Sequence, residues 1–127
     1  MTPLEARYWI PEGTGVRCQL CFHRCLLHRG AWGLCGVRRE EKGRLVSPLL
    51  GRFPARAVDP VEKKPLYHWR PGSRILSLGG QGCNLGCFFC QNHHLSHPEE
   101  PLEAPFLAPE DLARKAEGTG AVAFTYN

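Results

Sequence analysis

Three cysteines in one short stretch, Cys83-Asn84-Leu85-Gly86-Cys87-Phe88-Phe89-Cys90, are the residues best placed to do chemistry. Spaced x3 and then x2, they fit on a single tight loop, so three thiolates can converge on one inorganic centre. Iron–sulfur clusters are normally held by four thiolates. A three-cysteine loop therefore leaves one metal position without a protein ligand, as catalytic zinc keeps an open position for substrate. The competing readings are a zinc knuckle short of one ligand, and buried thiols with no metal.

A second group lies earlier in the chain. Cys18, Cys21, Cys25 and Cys35, at x2, x3 and x9, sit within eighteen residues and are accompanied by Gly30, Gly33 and Gly36. Thiols paired with glycines or tight turns are how small structural metal sites are built. The spacing leaves zinc, a second cluster and no metal all open, because separated C-x2-C knuckles suit zinc whereas a compact triplet also suits an Fe–S cluster. His23 and His28 are possible substitutes as ligands, but read as surface histidines. His93 and His94 are adjacent and do not share a helix face, so they read as solvent or substrate-edge positions.

These groups need elements to position them. Ile75-Leu76-Ser77-Leu78 reads as a short buried strand, and Gly79-Gly80-Gln81-Gly82 lets the backbone turn sharply into the cysteine loop. Beyond His97–Pro105, a proline- and glutamate-rich connection, Ala108-Pro109-Glu110-Asp111-Leu112 opens a helix. Proline occupies its first turn and acids its positive end, and Gly118 is a plausible stop. Ala121–Thr125 reads as a buried strand. Strand, loop, helix, strand is one βαβ unit, with parallel strands and a right-handed crossover. Upstream, Tyr8-Trp9-Ile10-Pro11 is an apolar anchor before a turn, and Arg44-Leu45-Val46-Ser47 a strand after the turn at Glu40–Gly43. Asp59–Trp69, with Pro60 and Pro65, reads as an ordered loop, since prolines so close exclude a continuous helix or central strand. It is either a linker or a loop that grips an anionic substrate.

Taken in order, these features divide the 127 residues into a Cys-rich region at 1–58, a linker loop at 59–72 and the βαβ unit at 73–127. The net charge of +4 conceals an asymmetry: residues 1–75 hold 14 Lys and Arg against 6 Asp and Glu, while residues 76–127 hold 2 against 6. A basic half points to nucleic acid or an acidic partner; here the arginines read as solvating a small surface, and nucleic acid is not the expected partner. Seven cysteines with no signal-like start and no run approaching a membrane span argue against a secreted disulfide scaffold and for a reducing cytoplasm.

The C-x3-C-x2-C loop strongly resembles that of the radical S-adenosylmethionine (radical SAM) enzymes. Adding the N-terminal Cys18/Cys21/Cys25/Cys35 set, the stretch Asp59–His68 and Gly82–Asn92 narrows the resemblance to the AmmeMemoRadiSam-system radical SAM proteins, relatives of pyruvate formate-lyase activating enzymes. The resemblance implies that Cys83, Cys87 and Cys90 ligate a [4Fe–4S] cluster whose open iron binds SAM. An electron from the cluster then breaks the sulfonium bond to give a 5′-deoxyadenosyl radical. It further implies that Phe89 neighbours the adenine and that Thr125, Tyr126 and Asn127 lie where related activases bind the SAM amino group through a glycine-rich motif, here without its glycines. The fold it implies is α/β: the start of a partial β/α barrel, preceded by a small, mostly irregular or β metal-binding region. The chain then reads as the N-terminal part of a longer enzyme, reduced by a flavodoxin- or ferredoxin-like donor and acting on an unknown substrate, with a protein as one candidate. Two other classes remain as alternatives: a zinc-stabilised nucleic-acid- or protein-binding module, and an iron–sulfur electron carrier.

Overall fold

The computed structural model describes residues 4–125. Three small sheets, each of three strands, carry the fold. Strands β1 (Leu4–Glu5), β5 (Arg39–Glu41) and β6 (Arg44–Ser47) form the first, in the order β1-β6-β5, all antiparallel. Strands β2 (Trp9–Glu12), β3 (Gly15–Cys18) and β4 (Leu26–Leu27) form the second, also antiparallel. The β5–β6 hairpin closes through Lys42 and Gly43, both at positive φ (52° and 80°), the backbone a two-residue turn between right-twisted strands requires. Glu40 is buried at this hairpin and accepts the backbone N–H groups of Gly43 and Gly30 at 2.6 and 2.7 Å. Those donors hold its carboxyl below the ordinary range, the Gly43 amide foremost. Between these two sheets lies a core of Ala6, Val16, Cys18, Leu27 and Leu45, flanked by Trp9 and Cys25.

The third sheet, β7-β8-β9, positions the cysteine loop. Its centre is β8 (Arg74–Gly79), buried from Ile75 onward, as expected of a strand with a neighbour on each side. Strand β7 (Ala55–Pro60) pairs with it antiparallel along its whole length, and β9 (Val122–Phe124) pairs with it parallel. The sequence reading did not foresee β7: its burial pattern is mostly exposed, and Asp59 had been placed in a loop. As an edge strand it tolerates proline at its end, where Pro60 sits. A 3₁₀ turn (Val61–Lys63) follows.

Between β8 and β9 come α1 (His93–Ser96) and α2 (Pro109–Ala116). Proline stands at the start of α2, with Glu110 and Asp111 in its first turn and Arg114 and Lys115 in its last, matching the helix dipole at both ends. The left-handed residue that ends the helix is Gly120 (φ 69°), whose N–H reaches Ala116 O at 2.6 Å, rather than Gly118. Leu76 and Leu78 face α2 through Leu112 and Ala116, with Phe53 and Val122 beside them. Strand β9 is less buried than its apolar sequence implies, and Phe124 is exposed; among the described residues it pairs only with β8, which leaves its other edge uncovered there.

On the other face of β8, Ser77 is fully buried and donates to Asp59 Oδ2 at 2.8 Å. Asp59 also accepts Lys63 Nζ at 3.0 Å and Lys64 Nζ at 3.1 Å. The Lys63 and Ser77 hydrogen bonds, with Lys64 adding to them, hold the Asp59 carboxyl far below the usual carboxylate range. The charge of this carboxylate thus ties the 59–64 segment to the central strand, so that the first part of the expected linker loop belongs to the sheet.

Candidate metal centre

The cysteine loop leaves β8 at the end beside which β9 also ends. Thr125 continues that pairing with its N–H on Leu78 O at 2.8 Å, which puts Thr125 at the same end of the sheet as the loop. Tyr126 and Asn127 lie outside the described residues. Gly82, at φ 91°, makes the turn into the loop, and its N–H donates to Leu95 O of α1 at 2.9 Å. A Cβ on Gly82 would overlap the Cys35 carbonyl oxygen and Val37 Cγ1. The entry to the loop is therefore packed directly against the N-terminal cysteine region, which only glycine permits.

Two histidines hold the loop by its backbone. His23 Nε2 lies 2.7 Å from Asn84 O, and His97 Nε2 lies 2.6 Å from Leu85 O. A carbonyl only accepts, so each ring carries its proton on Nε2 in these contacts. The sequence reading left His23 as a surface residue and His97 as part of a connection; neither has a local signal, because the partner is a main-chain oxygen far away in sequence. Gln81 adds a further tie, its Oε1 accepting the Leu102 N–H at 2.7 Å. His93 and His94 stand on α1, ring edge to face at 6.0 Å.

Cys83 and Cys90 are half-buried and Cys87 is exposed; all seven cysteines are free thiols. Cys83 Sγ faces the Leu85 N–H at 3.5 Å, Cys90 Sγ lies 3.4 Å from Ser96 Oγ, and the Cys90 N–H closes a turn on Cys87 O at 3.2 Å. Phe88 and Phe89 pack edge to face, centroids 5.0 Å apart, yet are 97% and 72% exposed. Two large aromatic rings in solvent beside three thiols form an apolar rim with nothing of the described chain against it.

The chemistry of this donor set fits an iron–sulfur cluster: three unpaired thiols on one loop, one beside a backbone N–H and one beside a hydroxyl, as cluster sulfurs are commonly tuned. The side chains themselves are not drawn together, and among the described residues no group of three or more His, Cys, Asp or Glu stands ready to hold a metal ion. The loop supplies the ligand types and the anchored backbone, and leaves the thiols to turn inward.

The N-terminal cysteines come from two reverse turns. Cys18 ends β3 and its N–H bonds Cys25 O at 2.9 Å, with Arg24 N–H on Cys21 O at 3.2 Å inside the turn. Cys35 lies on the turn closed by Gly36 N–H to Gly33 O at 2.9 Å. Cys18, Cys21, Cys25 and Cys35 line one cavity of about 440 Å³, and Cys83 lines it as well. Arg38, which the sequence did not single out, donates from Nη1 to Cys18 Sγ at 3.4 Å and to Arg7 O at 2.8 Å.

No helix among the described residues is long and apolar enough to cross a membrane. The chain matches no family model and no solved structure. Over 102 residues, 80% of its length, it is 35% identical to an uncharacterized protein of Methanocaldococcus jannaschii, and the chain spans about a third (31%) of that relative's length.

Proposed function

We propose that this chain carries the cluster-binding part of a radical SAM enzyme, with Cys83, Cys87 and Cys90 as the ligands of a [4Fe–4S] cluster that serves the reductive cleavage of S-adenosylmethionine. The observation that carries the reading is three free thiols on one loop, anchored at the end of a central strand that has a parallel neighbour. The chemistry a bound cluster supplies is one-electron reduction at an iron left without a protein ligand.

The chain's own residues do the rest. Gly82, His23 and His97 hold the loop backbone so that three thiolates can face one point. Phe89, with Phe88 packed against it, offers an exposed apolar face for the adenine. Thr125 stands at the same sheet end, where its backbone and hydroxyl can meet the methionine part of SAM. A flavodoxin- or ferredoxin-like donor in a reducing cytoplasm is the reductant this chemistry needs. The substrate is left open by this reading, with a protein substrate, as for an activating enzyme, one candidate class.

The test is anaerobic reconstitution with iron and sulfide. About four irons should be bound at this site, the reduced spectrum should change on adding SAM, and 5′-deoxyadenosine should form with a strong reductant. The Cys83→Ala/Cys87→Ala/Cys90→Ala variant should lose that iron and the SAM response. Undiminished iron in the triple variant would sink the assignment.

A further inference from the structure

We propose that Cys18, Cys21, Cys25 and Cys35 form a separate, closed tetrathiolate site for one zinc ion. Four thiols complete a tetrahedral shell with no open position, the arrangement of a structural rather than a catalytic zinc.

The surroundings favour this ligand set over its competitors. Of the nitrogen-bearing alternatives, His28 does not line the cavity and its Nδ1 lies 3.4 Å from Thr14 Oγ1, while His23, which lines it and meets Asn84 O through Nε2 at 2.7 Å, is not needed where four thiols already fill a tetrahedral shell. No carboxylate lines the cavity. Gly33 leaves a gap that a side chain would fill: a Cβ there would stand 3.7 Å from Cys35 Sγ and 4.0 Å from Cys25 Sγ. Two thiols from the two turns thus border the same void. Four thiolates on Zn²⁺ leave a net charge of about −2, and the Arg38 guanidinium beside Cys18 Sγ is placed to offset it.

The lobe also has need of such a tie. Its core is Ala6, Val16, Cys18, Leu27 and Leu45, little apolar area for two sheets and their connecting turns, and small modules of this kind are commonly completed by a metal. Binding requires the half-buried Cys21, Cys25 and Cys35 thiols to rotate inward, and releases the four thiol protons to solvent.

The experiment is metal analysis of anaerobically purified chain, from cells supplied with both zinc and iron. The Cys83→Ala/Cys87→Ala/Cys90→Ala variant should keep about one zinc per chain, and Cys21→Ala/Cys35→Ala should lose it. Zinc absent from the first, zinc kept by the second, or iron in place of zinc at the quartet would each overturn the proposal. Because the second variant can fail to fold, the unaltered chain provides an independent readout. After chelator stripping, adding zinc at ten times its Kd or more should slow iodoacetamide labelling of Cys21, Cys25 and Cys35 at least about tenfold. Cys87 should label as before. Unchanged labelling of the three, or equal protection of Cys87, refutes the site even if every variant unfolds.

Discussion

Replacing Gly82 by alanine tests the joint between the N-terminal cysteine region and the loop that leaves β8. Two costs arise at once. Gly82 holds φ at 91°, where an L side chain meets a penalty of about 1–2 kcal/mol. The new methyl would also overlap the Cys35 carbonyl oxygen and Val37 Cγ1. One of these is main chain and cannot swing aside, so overpacking adds roughly 1–3 kcal/mol. The sum, about 2–5 kcal/mol, is a large part of the roughly 5–15 kcal/mol that holds a domain together. It corresponds to a melting point lower by on the order of 10 °C. Gly86→Ala is the internal control: it lies on the same loop, at no positive φ, with nothing within 4 Å of its Cβ position. Urea unfolding of the anaerobically purified chain, followed by tryptophan fluorescence under reductant, should show a lower midpoint for Gly82→Ala at unchanged slope. Gly86→Ala should stay within about 0.5 kcal/mol of the parent. If Gly82→Ala also stays within that range, the two regions do not meet through this glycine and the reasoning fails.

Two further outcomes follow from the packing and charge of the sheets. Asp59 has a depressed folded pKa, so its contribution is fully present above the unfolded carboxylate value of about 3.9 and is lost as pH falls below that toward the folded value. Between pH 7 and pH 3 the parent should therefore lose more unfolding free energy than Asp59→Asn; parallel curves would show that Lys63, Lys64 and Ser77 do not stabilise the charge. Leu45→Ala and Leu78→Ala, at side chains 0% and 1% exposed, should each cost about 2–5 kcal/mol. Amide exchange should place the first loss in residues 4–47 and the second in 53–124, and a uniform loss across both would contradict two separate cores.

What the sequence determined by itself is local. The run Ile75–Leu78, the acids and proline at the head of α2, the Lys42-Gly43 turn before β6 and the spacing of both cysteine groups all express preferences that act within a few residues. Such signals survive in any tertiary context, so strands, helix and loop were legible where these patterns are strong. Strand β7 was not, because an edge strand with an exposed face and a terminal proline has no alternating apolar code; it exists through its pairing with β8. The site divides the same way. Ligand types and spacing are written in the chain, but the contact of Gly82 with Cys35 and Val37, the reach of His23 to Asn84 O, and Arg38 beside Cys18 depend on how separate sheets are stacked. Each partner there is a backbone oxygen, a small gap or a sulfur distant in sequence. A main-chain carbonyl is chemically the same at every residue, so only the folded chain decides which one a given side chain meets.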